Sequence, residues 1–331
     1  MTLPYRYLVI ACLLFVLGAC RFNRRSYTEL EGQAQGTTFR IVYLDPQGRD
    51  FSQSVDSLFR LIDRSMSLWD STSTISRLNR NEPGVKADAH FGTVYEQAYS
   101  VSQATDGLFD VTVGPLVKAW GFSVKKGLPP PTARQIDSLR RLIGYQKVKL
   151  NGEVLTKADP RMQLDFNALA QGYTVDVVAE FLQKRGIRNY LVEIGGEVRT
   201  LGTNERRERW QVGIDKPLDT PTEGRPLQTV IPLSGKSLAT SGSYRKFVVR
   251  DGKKYSHAID PKTGYPITHN LLSVSVVADD CITADAYATA FLVMGLEKAI
   301  PLAMAKGMEL YGVYADSTGA FRVQTTPGFG K

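Results

Sequence analysis

The chain has 331 residues, with 41 Lys and Arg against 33 Asp and Glu, a formal net charge of +8. At 43% hydrophobic and 22% charged it has the composition of an ordinary globular protein, which excludes disordered, collagen-like and fibrous classes. Three cysteines, at positions 12, 20 and 281, are too few for a disulfide framework or a cysteine-rich zinc site, and the positive balance names no partner until its distribution is known.

Arg6 precedes an almost unbroken apolar run, Leu8 to Ala19, which ends at Cys20. The run falls short of the roughly 20 apolar residues that span a bilayer. It fits the h-region of a secretory signal with small residues at the cut site, the alternative being a short buried helix. LGAC resembles the bacterial lipobox, whose cysteine is acylated. Residues 1–19 are therefore expected to be a signal peptide. Cys20 is the expected lipidation site, and 20–26 a tether carrying Arg21, Arg24 and Arg25, either against anionic headgroups or simply solvated. The chain is then exported and lipid-anchored to the periplasmic side of a bacterial membrane, inner or outer. No nucleic-acid partner is expected, because an exported chain without an aromatic-basic recognition motif gives its charge no such use.

Beyond the tether, Tyr27 to Leu44 alternates as a strand and ends at the turn DPQG. Val55, Leu58, Phe59, Ile62 and Met66 recur at helical spacing within 51–68, and a second helix pattern covers 92–104. The basic, proline-rich stretch 125–135 reads as a loop between two lobes, followed by a short helix over 136–143 and the strand pattern YQKVKL. Residues 172–186 predict an amphipathic helix closed by Gly186. NYLVEIGG, WQVGID and LSVSVVA predict strands, RKFVVRDGKKYSHAID a hairpin turning at Asp251-Gly252, and 283–294 a helix. Strands that follow one another without intervening helices imply an α+β fold with largely antiparallel sheets and packed helices. No glycine-rich phosphate loop stands between a strand and a helix, so Rossmann and P-loop readings lack support.

Four clusters place acidic or hydroxyl residues, in three of them beside glycine, at the end of an apolar run. In GLFDVTVGPLVKAWGF (107–122), Phe109 and Trp120 are candidates to stack on a planar ligand, or else core aromatics beside a turn. In LDFNALAQGYTVDVVAEFL (164–182), Asp165 stands at an expected helix entrance, where free N–H groups attract phosphates, or serves only as an N-cap. In 240–266, His257 is a candidate proton acceptor among hydroxyl, lysine and aspartate neighbours, a structural histidine being the plainer alternative. In DDCITADAYATAF (279–291), Asp285 and Thr289 share one helix face and offer hard oxygens suited to Mg²⁺, or simply belong to a capped helix of small residues.

Taken in order with GTTF, MSLWDSTSTISRLN, LVEIGGEVRTLG and HAIDPKTGYP, these clusters resemble the ApbE family of FAD:protein FMN transferases over nearly all of 27–325. The resemblance implies one catalytic domain over 27–331 with an FAD site in a cleft between two lobes. It implies FAD as substrate, Mg²⁺ as cofactor, and Mg-dependent transfer of FMN to a Thr or Ser hydroxyl of a target protein with release of AMP. The alternatives are an FAD pyrophosphatase giving FMN and AMP, or a non-catalytic FAD-binding lipoprotein. By motif, Gln35, Trp69, Leu108, Phe109, Asp110, Asp165, Gln171 and Ile259 would contact FAD. The Ala168 carbonyl, Asp285 and Thr289 would hold the metal, and His257 would take the acceptor's proton. The expected partner is a flavin-accepting membrane electron-transfer subunit. The chain departs from many relatives at Gln35, where they carry Met, and at Ala288, where some carry Asp or Ser.

Overall fold

The computed structural model describes residues 27–122, 129–218, 226–243, 247–250 and 253–331. The expected signal peptide, Cys20 and most of the tether lie outside these residues, as does the Asp251-Gly252 turn. Tyr27 to Leu44 holds two strands rather than one, β1 (Thr28–Ala34) and β2 (Thr37–Tyr43), paired antiparallel. They are joined by Gln35-Gly36, with φ of +53° and +76°. A two-residue hairpin that matches strand twist needs both central residues left-handed. Gln-Gly meets this need at some strain on Gln35, and it lacks the asparagine by which such turns are recognised.

Helices α1 (Ser52–Met66), α2 (Thr74–Asn79) and α3 (Ala89–Ala104) follow. The Asp88 carboxylate accepts from the Phe91 N–H, so α3 begins three residues earlier than its apolar spacing suggests. After α4 (Gly114–Ala119), helix α5 (Ala133–Arg140) starts inside the stretch expected to be a loop, because Thr132 and Gln135 form a reciprocal capping box. Leu116 and Trp120 before that stretch pack with Ile136, Ile143 and Ile259 after it, so its flanks belong to one packed body. A small ribbon, β3 (Val148–Asn151) and β4 (Val154–Lys157), then leads to α6 (Ala170–Lys184), closed by Gly186 at φ +87°.

The remaining elements are β5 (Tyr190–Ile194), β6 (Glu197–Leu201), the ribbon β7 (Trp210–Asp215) and β8 (Leu227–Leu233), β9 (Ser237–Gly242), and the hairpin β10 (Phe247–Arg250) with β11 (Lys253–Ser256). Last come β12 (Leu271–Ala278), α7 (Cys281–Met294), α8 (Leu296–Ala305), β13 (Glu309–Ala315) and β14 (Phe321–Thr325). Eight strands form one sheet in the order β1-β2-β5-β6-β9-β12-β13-β14, every neighbouring pair antiparallel. The α+β expectation holds. Helix α7 is apolar on nearly all sides, the pattern of a helix enclosed by protein, and it packs against β9, β12 and α6. Helix α6 packs on β5 and β6, so two buried helices meet over the middle of the sheet. Their meeting point carries the site.

Candidate active site

Asp285 lies one turn into α7 and is buried. Its Oδ2 accepts the Gly172 N–H at 3.0 Å, the third amide of α6. That amide is one of the donors a helix cannot satisfy internally. The residue at the N-cap of α6, Leu169, supplies no side-chain acceptor, so Asp285 caps α6 from the neighbouring helix. The helices touch here: a Cβ on Gly172 would lie 2.4 Å from the Cys281 carbonyl oxygen and 2.8 Å from the Asp285 Cβ. Burial pushes the Asp285 carboxyl up to about 7, against the Gly172 N–H, which pulls the other way. One turn further along α7, the Thr289 hydroxyl meets the Ser241 hydroxyl of β9 at 2.9 Å. The Ala168 carbonyl, just before α6, accepts no hydrogen bond among the described residues.

A carboxylate oxygen, a hydroxyl and an unclaimed carbonyl are hard donors, and they fit Mg²⁺. Among the described residues no group of three His, Cys, Asp or Glu gathers at one point. A site with a single carboxylate suits a cation that keeps waters and takes further oxygens from substrate phosphates.

Gln171, beside Gly172, donates to the Ile194 carbonyl at 2.7 Å and lies over the Gly195-Gly196 turn between β5 and β6. Gly195 has φ +64°, and a Cβ there would lie 1.7 Å from the Gln171 Nε2 and 2.9 Å from a Thr37 methyl. Burial raises the Asp63 carboxyl of α1 above its usual range, and the nearby Gln35 side chain, on the adjoining hairpin, pulls it the other way. Gln35, Gln171, Asp285 and Thr289 are thus brought to one region of the fold by the packing of α6 on α7 and on the two tight turns.

Trp69 is 66% exposed. Its loop is nonetheless firmly held: the Ser67 hydroxyl accepts from the Trp69 and Asp70 N–H groups, and the Ser67 carbonyl accepts from the hydroxyls of Ser73 at 2.6 Å and Ser76 at 3.2 Å. Asp88 stitches the surrounding helices by accepting from the hydroxyls of Ser65 and Thr74, each at 2.8 Å. A large aromatic presented on a fixed loop is ready to stack on a planar ligand.

Other expected residues have different surroundings. The Phe109 ring is 3% exposed and the Trp120 ring 4%, both inside core clusters, and the Trp120 Nε1–H donates to the Gly264 carbonyl at 2.9 Å. Both rings pack in the core, as the plainer alternative has it, and Leu108 is the half-buried member of its stretch. Asp110 accepts from the Thr112 N–H and hydroxyl and from the Tyr145 N–H, so its carboxylate organises two loops beside a cavity of about 250 Å³. Asp165 is not the N-cap of α6, which begins five residues later. Its Oδ1 accepts the Asn167 N–H at 2.9 Å in the turn that precedes the helix, and its own N–H donates to the Val111 carbonyl. Ile259 is buried in the Leu116 cluster and bridges to Pro266. His257 is half-buried, with its ring edge-on to Phe122 at 6.4 Å.

The sequence reading passed over Gly172, Asp176, Arg199 and Ser241. The acid at 176 within an otherwise apolar stretch, Val175 to Ala179, was the available signal for a buried, partnered charge.

The ApbE family model matches residues 35–311, which takes in every residue of this site. The chain belongs to the ApbE family. It is 33% identical over 337 residues to the FAD:protein FMN transferase of Haemophilus influenzae, covering 98% of this chain and 96% of that one. It is 36% identical over 308 residues to the enzyme of the same name from Vibrio cholerae, covering 90% of each. Solved ApbE structures superpose along the chain: the Vibrio cholerae flavin transferase with a TM-score of 0.81 at 34% identity, covering 92% of this chain and 98% of that one, and the Pseudomonas stutzeri flavinyl transferase in its apo form with 0.82 at 32%, covering 92% and 96%.

Proposed function

We propose that the chain is an FAD:protein FMN transferase, moving FMN from FAD to a Thr or Ser hydroxyl of an acceptor protein and releasing AMP. The observation that carries this reading is the end-to-end correspondence with enzymes of that name, at 33% and 36% identity. The hard-oxygen site of α6 and α7 gives that correspondence a chemical basis. In this mechanism Trp69 stacks on a ring of FAD, while Gln35, Gln171 and Asp165 orient the dinucleotide. Asp285, Thr289 and the Ala168 carbonyl would hold Mg²⁺, which would neutralise pyrophosphate charge and make the phosphorus a better electrophile. The acceptor oxygen forms a bond to the phosphorus on the FMN side, and the bond from that phosphorus to the AMP oxygen breaks. His257 takes the hydroxyl proton, a role suited to imidazole near neutral pH. Most of the rate then comes from positioning and charge neutralisation.

The test incubates the chain with FAD, Mg²⁺ and a flavin-accepting protein. Transfer appears as in-gel flavin fluorescence on the acceptor and stoichiometric AMP. AMP with free FMN and no labelled acceptor would identify a pyrophosphatase, and persistent bound FAD without AMP a carrier.

The proposed setting is the periplasmic side of a bacterial membrane, with Cys20 acylated and the acceptor a membrane electron-transfer subunit on that side. The support is LGAC at the end of the apolar run. Cys20→Ser should leave the chain unacylated; fatty-acid labelling that persists in the variant would remove Cys20 as the anchor.

A further inference from the structure

A second buried carboxylate meets the same pair of helices, and no step of the proposed reaction uses it. Asp176, on α6, accepts the Cys281 N–H with both oxygens at 2.9 Å and the Ile282 N–H with Oδ2 at 2.8 Å. Its Oδ1 also accepts from Arg199 Nη1 of β6 at 2.6 Å. Cys281 and Ile282 open α7, so Asp176 caps α7 from α6 just as Asp285 caps α6 from α7. The N-cap side chain of α7, Asp280, accepts the Thr283 N–H, so the amides of Cys281 and Ile282 are left to Asp176, as that of Gly172 is left to Asp285.

The numbering of these contacts fixes a register. Residue 176 meets 281 and residue 172 meets 285, so four residues back along α6 correspond to four residues forward along α7. Ala168 stands two residues ahead of the first residue of α6, and Thr289 one turn beyond Asp285 on α7. The two levels of contact are closed by the protein's own N–H groups. The end of the crossing beyond Asp285 carries the Ala168 carbonyl and the Thr289 hydroxyl, the latter paired with the Ser241 hydroxyl, and these are the oxygens that the Mg²⁺ reading gives to the cation.

We propose that Asp176 is a positioning residue: by clamping the start of α7 to α6 it sets the helix register that delivers Asp285 and Thr289 to the Ala168 carbonyl. The consequence for metal binding rests on the Mg²⁺ reading above, whereas the register itself does not. A carboxylate is required at 176 because its two oxygens serve two amides and a guanidinium together. Asparagine offers one acceptor oxygen and turns an N–H₂ toward donors, leaving Arg199 without its counter-charge. Glutamate keeps the charge but is one methylene too long for the contact.

The experiment compares the full chain with Asp176→Asn and Asp176→Glu. Hydrogen exchange with site resolution reads the register without any metal: faster exchange is expected at Cys281 and Ile282 and, one level away, at Gly172. Loss of protection confined to 281 and 282 overturns the proposal, because the clamp would then not transmit to Asp285. Calorimetric titration with Mg²⁺ in the presence of FAD reads the consequence. Half-saturation is expected to rise by about 10–100-fold in Asp176→Asn, the range for groups that orient metal ligands, with FAD affinity in EDTA unchanged. Asp176→Glu should recover part of that loss. An unchanged Mg²⁺ half-saturation beside a lowered melting temperature overturns the positioning role and leaves a purely structural one. If Asp176→Asn does not fold, the double variant with Arg199→Met removes the stranded guanidinium and is read in the same way. An unaltered chain that ignores Mg²⁺ overturns the metal reading, and the exchange data then judge the register alone.

Discussion

Asp285 caps α6 through Gly172 with one oxygen, and in the proposed mechanism the same carboxylate would also take the cation. Burial makes its ionised form expensive in the folded chain, which is why its carboxyl is raised from 3.8 to about 7. A carboxyl raised on folding contributes stability that is complete below its unfolded value and lost as pH climbs through the folded one. The window here runs from about pH 4 to pH 7. In EDTA, the melting temperature of the native chain should therefore fall relative to that of Asp285→Asn as pH rises from about 5 to 8, by several degrees. Added Mg²⁺ should reverse the trend in the native chain alone, because a bound cation favours the ionised carboxylate. A difference that stays flat across this range would show that the carboxylate is solvated rather than buried.

At the scale of elements, the decisive contact is the crossing of α6 and α7. Gly172 is needed for its lack of a Cβ, since Cys281 and Asp285 fill the space a methyl group would take. Gly172→Ala should destabilise the fold by about 1–3 kcal/mol in urea unfolding, the range for forcing an extra methyl into a packed contact. Mg²⁺ half-saturation should rise with it as Asp285 is pushed aside. A variant of native stability would mean that α7 shifts freely, contrary to a fixed helix pair. Most elements were legible in the sequence, because α1, α6 and the strands β5, β7 and β12 each carry an uninterrupted apolar period. The hairpin at Gln35-Gly36 was not, since its turn departs from the usual residue pair, and the first turn of α5, three residues ahead of the helix expected over 136–143, was hidden by the prolines that precede its capping box. Asp285 and Thr289 could be paired from their spacing alone, four apart on one helix. Cross-capping could not be read at all, because it joins residues 105 and 113 positions apart whose approach depends on the sheet beneath them.

Over the whole molecule, cohesion comes from apolar clusters on the sheet rather than from surface charge. The ion pairs among the described residues mostly join exposed side chains, such as Lys86 with Glu153 and Lys184 with Glu180; Asp45 is buried beside a more open Arg49, and in Asp176 with Arg199 both partners are largely enclosed. Exposed pairs are each worth about 0–1 kcal/mol and are screened by salt. Raising NaCl from about 0.1 to 1 M should therefore move the melting temperature by no more than about 3 °C, despite the net charge of +8. A larger fall would assign the surface charges a role that their exposure does not suggest. The three tryptophans divide unequally across this architecture: Trp120 and Trp210 are enclosed and hydrogen-bonded through their indole N–H groups, while Trp69 stands in solvent. The intrinsic emission of the protein accordingly has a blue, protected component and a red component open to acrylamide. A flavin or adenine ring seated on Trp69 would extinguish the red component first. The protein thus carries its own optical gauge of occupancy, and Trp69→Phe should silence it without disturbing the core.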